Sequence, residues 1–238
     1  MAMCCEPGRL AVQRRSRMSF DTLAPHYRWM ERLLAGEKLQ RCRVAWLDEV
    51  RGARRALLVG EGHGRLLAEC ARRFPQTHFT CVDASSGMLE QSQAVWRKAG
   101  GDAGQIEFIH ASLPEWAPPP ETFDLIVTNF FLDCFSAAQL TEVVTKLSAS
   151  AQPGARWLVA DFQIPDSGWQ RLRARLILLS AYTFFRVATK LPARQLTSPD
   201  DLLRGAGFEL QARRVTEWGL LHTDLWEKFP ISDCQLPI

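Results

Sequence analysis

Residues 57–67 read LLVGEGHGRLL. An apolar run ends at Val59, glycines follow at 60, 62 and 64, and an apolar helical pattern resumes at once. The pattern predicts a short buried strand over 55–59, a helix over 65–74, and between them a loop with little but backbone. Glycine turns tightly at positive φ and removes the Cβ atoms that would hold a ligand at a distance. Such a loop, between a strand and a helix N-terminus, suits a nucleotide or an amino-acid-bearing nucleoside, although packing alone also produces it.

Working outward, strands and helices alternate. Strands are expected at 77–82, 106–110, 123–128 and 156–162, the last entered by a turn at Pro153-Gly154, with helices at 87–99 and 136–149. Ser136-Ala137-Ala138-Gln139 has the form of a capping box. This rhythm implies right-handed crossovers and a parallel sheet covered on both faces. Ligands then bind beyond the carboxyl ends of the strands, which points to loops 60–65, 83–88, 111–114 and 129–135. The last third differs: a long apolar-rich helix from Trp169 to about Lys190, a short helix beginning at Ser198-Pro199-Asp200-Asp201, and two strands, 208–217 and 220–226, meeting at Trp218-Gly219. Before the first strand, 19–52 reads as helical, its second pattern running from Glu37 to about Val50.

The expected organisation is a flexible tail at 1–18 and one α/β domain over 19–238. Within it lie a helical cap (19–52), a core (53–165), a helical insertion (166–192), and a final helix and hairpin (193–238). A chain of 238 residues, 47% hydrophobic and 23% charged, suits one globular domain. The charge of +3, from 29 basic and 26 acidic residues, is too balanced to argue for nucleic acid. Seven cysteines at 4, 5, 42, 70, 81, 134 and 234 show no CxxC spacing, so no zinc site is expected and a reducing, cytoplasmic setting is. The most apolar stretch, 176–185, lies between Arg175 and Arg186 and is too short to cross a bilayer. The N-terminus has no apolar run of the secretory kind.

The glycine spacing is GxGxG. A dinucleotide fingerprint wants its third glycine at 65, where this chain has Arg. Asp83 closes the next strand 19 residues after Gly64 and can hold both ribose hydroxyls; the alternative is that it caps the helix starting near Ser86. Gly60-Glu61-Gly62-His63-Gly64 together with Val82-Asp83-Ala84-Ser85-Ser86-Gly87-Met88-Leu89 resembles class I S-adenosylmethionine-dependent methyltransferases. The nearest flavour is the small-molecule, ubiquinone/menaquinone-biosynthesis-like group (methyltransferase type 11/25), over about residues 19–226. The resemblance implies a Rossmann-like, seven-stranded, mostly parallel sheet with a C-terminal antiparallel hairpin and helices on both faces. It also implies S-adenosylmethionine as cofactor and S-adenosylhomocysteine as product.

By the same resemblance, Gly60, Gly62 and Gly64 pass under the methionine part of the cofactor and Asp83 holds the ribose. Ala84 and Leu113 belong to the cofactor site, and Met88 covers the adenine face, with simple core packing a nearly equal reading. Ser112 stands where the family often has an Asp reaching the adenine amino group, and Asn129 lines the transfer site. Two positions depart from the pattern. Leu58 replaces an acidic residue before the loop, so Glu61 either supplies that charge to the cofactor's ammonium group or points to solvent. Ser112 replaces Asp.

Methyl transfer from a sulfonium is an in-line displacement, so positioning is the main task and a base is needed only if the acceptor loses a proton. Candidates near the loop mouths are His26, Tyr27, Asn129, Asp133, Asp161 and His222, each with an ordinary structural alternative. Phe130, Phe131 and Phe135 crowd one loop, where packing is the leading reading for at least two. The helix over 169–190 falls where related enzymes roof the acceptor, which suggests an apolar or aromatic small-molecule acceptor. Its surplus apolar residues also suit a second subunit, a homodimer. The competing readings are a protein that binds the cofactor without transferring methyl groups, serving a regulatory or partner-binding role, and a nicotinamide dehydrogenase, which Arg65 disfavours.

Overall fold

The computed structural model describes residues 37–189 and 196–229. The expectations for 1–36, including His26 and Tyr27, lie outside the described residues, as do those for 190–195 and 230–238. The described chain opens with α1 (Lys38–Val44) and a 3-10 turn at Leu47–Val50. A continuous helix to Val50 was expected. It breaks at Trp46, whose φ of −117° is not helical and whose indole N–H donates to the Thr223 carbonyl at 3.0 Å. Burial of Leu47 and Val50 then fixes the separate turn.

The core follows in order: β1 (Arg55–Val59), α2 (Arg65–Arg73), β2 (His78–Asp83), α3 (Ser86–Lys98), β3 (Ile106–His110), β4 (Phe123–Asn129), α4 (Ala137–Ser150) and β5 (Ala151–Phe162). Then come α5 (Gly168–Thr189), α6 (Asp200–Gly205), β6 (Phe208–Thr216) and β7 (Leu221–Lys228). The seven strands make one sheet in the order β3-β2-β1-β4-β5-β7-β6. The first five are parallel, whereas β7 runs antiparallel to both β5 and β6. The order reverses between β1 and β4, which puts the ligand crevice beyond the ends of those two strands.

Alternation along β1 divides the core into two layers. Leu57 and Val59 join Ile126, Trp157 and Trp226 in one buried cluster, while Ala56 and Leu58 join Leu66, Cys81, Val127 and Leu158 in the other. Leu58, the position lacking the expected acid, is therefore a core residue. The expected turn at Pro153-Gly154 is instead part of β5. There Gly154 takes a φ of +75° and the register against β4 shifts between Phe123 and Leu125. A bulge of this kind is where a strand tolerates proline.

Candidate functional site

At the end of β1 the three glycines all take positive φ, 67°, 67° and 84° at 60, 62 and 64. Their bare Cα atoms face different neighbours. A Cβ at Gly60 would stand 2.3 Å from Phe131 Cδ2, and one at Gly64 would stand 2.9 Å from Ser92 Cα. A Cβ at Gly62 would meet nothing within 4 Å. Two of the glycines therefore serve close packing within the protein, against an aromatic loop and between α2 and α3. Only Gly62 presents its bare face to open space.

Asp83 ties this loop to the next strand. Its Oδ2 accepts the Gly62 amide at 3.1 Å and its Oδ1 accepts the Ser85 amide at 2.9 Å. Ser92 Oγ donates to the Gly62 carbonyl at 2.6 Å, fixing the same residue from α3. The alternative reading of Asp83 as helix cap does not hold. Ser85 is the N-cap of α3, its hydroxyl accepting the Met88 amide at 3.2 Å. A carboxylate can accept about four hydrogen bonds, so holding the loop is compatible with receiving ribose hydroxyls.

Glu61 is buried, which removes the solvent-facing reading, and its Oε1 accepts the Leu66 amide at 2.7 Å. That amide is in the first turn of α2, where a negative group is favoured. Met88 is buried in the core side of α3, and Leu113 is buried as well. Ser112 is half-buried. The Ala84 carbonyl meets His110 Nε2 at 3.0 Å, which steadies the loop after β2.

Across the switch point, Asn129 ends β4 and is 7% exposed. Its Nδ2 is buried with no hydrogen-bond partner among the described residues. A buried donor without an acceptor is costly, so this amide is a candidate to donate to a ligand. Gly62, Asp83 and Asn129 thus bring bare backbone, a fixed carboxylate and a buried donor to the carboxyl ends of the neighbouring strands β1, β2 and β4. These residues fit an amino-acid-bearing nucleoside.

Phe130, at a φ of +55°, then turns the chain, and all three phenylalanines are used in packing. Phe130 tilts against Phe162 with centroids 5.4 Å apart, while Phe131 and Phe135 meet edge to face at 5.0 Å. A 3-10 turn, Leu132–Cys134, carries Asp133 beside Asp161 at the end of β5. Asp161 Oδ2 accepts the Asp133 amide at 3.1 Å and Oδ1 accepts its neighbour Phe162 amide at 2.8 Å. Tyr182 of α5 donates to the Asp133 carbonyl at 3.4 Å. Burial pushes the Asp133 carboxyl up to about 6, and the Cys134 thiol 3.6 Å away only partly offsets it. Burial and the Asp133 charge together push Asp161 well above the carboxylate range.

His222 pairs across strands with Asp161, and opposed residues share a sheet face. Its Nδ1 lies 3.0 Å from Asp224 Oδ2. Asp224 is fully buried and also accepts two bonds from Arg213, at 2.8 and 2.7 Å. Burial alone would raise Asp224; the bonds from His222 and Arg213 outweigh it and hold it low. Sequence reading found Asp133, Asp161 and His222 without bringing them together. It missed Ser92, Arg213 and Asp224, whose roles depend on strand register and helix packing.

Residues 56–154 match the family model described as "Methyltransferase domain". The chain is similar to the ubiquinone/menaquinone biosynthesis C-methyltransferase UbiE of Syntrophotalea carbinolica, with 30% identity over 64% of this chain and 63% of that protein. It is also similar to aclacinomycin 10-hydroxylase RdmB of Streptomyces purpurascens, with 28% identity over 68% of this chain and 42% of that protein. The chain therefore spans less than two thirds of the length of these curated relatives. Among solved structures, the Burkholderia thailandensis 1,6-didemethyltoxoflavin-N1-methyltransferase, with S-adenosylhomocysteine bound, superposes at a TM-score of 0.63. The match has 17% identity and covers 88% of this chain and 86% of that one. Residues 56–154 thus match a methyltransferase domain, and the strand order, the glycine loop and Asp83 agree with that match.

Proposed function

We propose that this protein transfers a methyl group from S-adenosylmethionine to a small apolar or aromatic organic acceptor. The observation that carries the reading is the joint formed by Asp83 and Gly62, with Asn129, whose amide has no partner among the described residues, at the end of the neighbouring strand β4. When bound, the cofactor supplies an electrophilic methyl group on a sulfonium. Gly62 lets it approach the backbone, Asp83 holds the ribose, and Asn129 donates at the end of β4.

The acceptor side is the carboxyl end of β5, under the buried face of α5. Phe130 and Phe162 supply apolar surface there, which supports an apolar or aromatic acceptor. Asp133 would take the proton of an acceptor O–H or N–H, leaving that acceptor atom free to receive the methyl group the cofactor would supply. Asp161 and Tyr182 hold the Asp133 backbone in place through its amide and carbonyl.

The test is transfer of radiolabelled methyl from S-adenosylmethionine to a panel of phenols, hydroquinones and aromatic amines. Label should appear in at least one acceptor, with S-adenosylhomocysteine formed in equal amount. Tight cofactor binding with no transfer to any acceptor would instead favour a binding protein. Asp133→Asn should lower kcat by about 10²–10⁴-fold while leaving cofactor affinity unchanged. Full kcat in that variant would remove Asp133 from the chemistry.

A further inference from the structure

Helix α5 has two apolar faces, and one is uncovered. Ala174, Leu178 and Tyr182 recur every four residues and are buried with Cys42, Ala160, Leu220 and Leu221. On the other side Trp169, Leu172, Leu176 and Leu179 are 61%, 63%, 57% and 65% exposed. At about 100° per residue these four form a stripe roughly 80° wide, and at 1.5 Å per residue it runs about 15 Å. Trp218, 63% exposed in the β6–β7 turn, extends the stripe with its ring 5.5 Å from Trp169. Two tryptophans and three leucines so exposed in one line need a partner.

Charge narrows the choice. The helix sequence contains Arg171, Arg173, Arg175 and Arg186 and no Asp or Glu. Arg175 is exposed along one edge of the stripe, whereas Arg171 points to the side of Ala174 and Leu178 and donates to the Asp166 carbonyl at 2.8 Å. On the other edge Arg173 lies over the Trp218 ring at 4.9 Å. Two copies meeting on this face would bring Arg173 and Arg175 of each helix together with no carboxylate in either helix, a repulsive pairing. An apolar stripe with tryptophan at one end and arginines along its flanks instead matches a helix lying in the plane of a bilayer. Leu and Trp would sink to the headgroup boundary while guanidinium groups meet lipid phosphates.

We propose that the exposed face of α5 docks the protein onto an anionic lipid surface. The contact is interfacial: among the described residues no helix is long and apolar enough to cross a membrane. The proposal does not depend on methyl transfer, since the docking face lies across the helix from Tyr182 and Asp133.

The test is co-sedimentation of the full chain with vesicles of phosphatidylcholine alone or with about a third phosphatidylglycerol, at low and high salt. The protein should bind the mixed vesicles, not the neutral ones, and high salt should weaken binding. Arg175→Gln should lower partitioning about fivefold. Leu172→Glu with Leu176→Glu should reduce it to background while the circular dichroism spectrum and S-adenosylhomocysteine binding stay unchanged. No binding to anionic vesicles, equal binding to both compositions, or unchanged binding by the leucine variant would overturn the proposal. So would light scattering that shows a wild-type dimer made monomeric by the leucine variant, since the face would then belong to a second copy.

Discussion

Replacing each loop glycine by alanine separates what the three do. Every site takes positive φ, so alanine pays about 1–2 kcal/mol of backbone strain, reduced by about 0.4–1 kcal/mol through a less flexible unfolded chain. At Gly62 nothing else is added, because no atom lies within 4 Å of the new methyl. At Gly64 the methyl lies 2.9 Å from the Ser92 main chain, which yields only if α2 and α3 part. At Gly60 it lies 2.3 Å from a Phe131 ring that is itself packed on Phe135. Overpacking of this kind costs about 1–3 kcal/mol more. With roughly 2–4 °C lost per kcal/mol in a domain of this size, Gly62→Ala should lower Tm by a few degrees and the other two by two to three times as much. Cofactor affinity should follow the opposite order. The Gly62 methyl occupies the open space, so S-adenosylhomocysteine affinity by calorimetry should fall at least tenfold, the largest loss of the three. Wild-type affinity in Gly62→Ala, with the greatest loss in Gly64→Ala, would refute the assignment of the open face to the cofactor.

Three further outcomes follow from the same geometry. Ser85→Ala removes the α3 cap and should cost about 1 kcal/mol in denaturant unfolding, while cofactor affinity measured well below Tm stays unchanged. Asp224 is held below its unfolded value, so its contribution to stability is present above about pH 4 and lost as pH falls through the folded value. Unfolding of wild type and Asp224→Asn should therefore differ most near neutrality and converge in acid. Asp133 is raised to about 6, so it is ionised, and able to take a proton, only above that pH. Single-turnover rates should climb about tenfold per pH unit below 6 and level off above it, and Asp133→Asn should abolish that rise.

The strand–helix alternation, the glycine loop and the closing hairpin were legible because each is written in local pattern: apolar period, Gly and Pro punctuation, and spacing to Asp83. Tertiary contacts decided the rest. Trp46 ended α1 early because its indole reaches β7, and a bulge drew Pro153 and Gly154 into β5. Glu61 became a helix-terminal acceptor, a role that no spacing distinguishes from contact with a ligand. The glycines were read as one cradle, although two of them make room for Phe131 and Ser92, residues about 70 and 30 positions along the chain. The Asp133–Asp161 and His222–Asp224–Arg213 groups needed the strand register to bring them together.

The most direct measurement is a crystal structure of the protein grown with S-adenosylhomocysteine. Difference density should place the ribose hydroxyls within hydrogen-bonding distance of the Asp83 carboxylate, the amino-acid end against Gly62, and an acceptor atom of the ligand at Asn129 Nδ2. Density for the ligand elsewhere, with the space beside Gly62 filled by the Phe131 ring, would contradict the account.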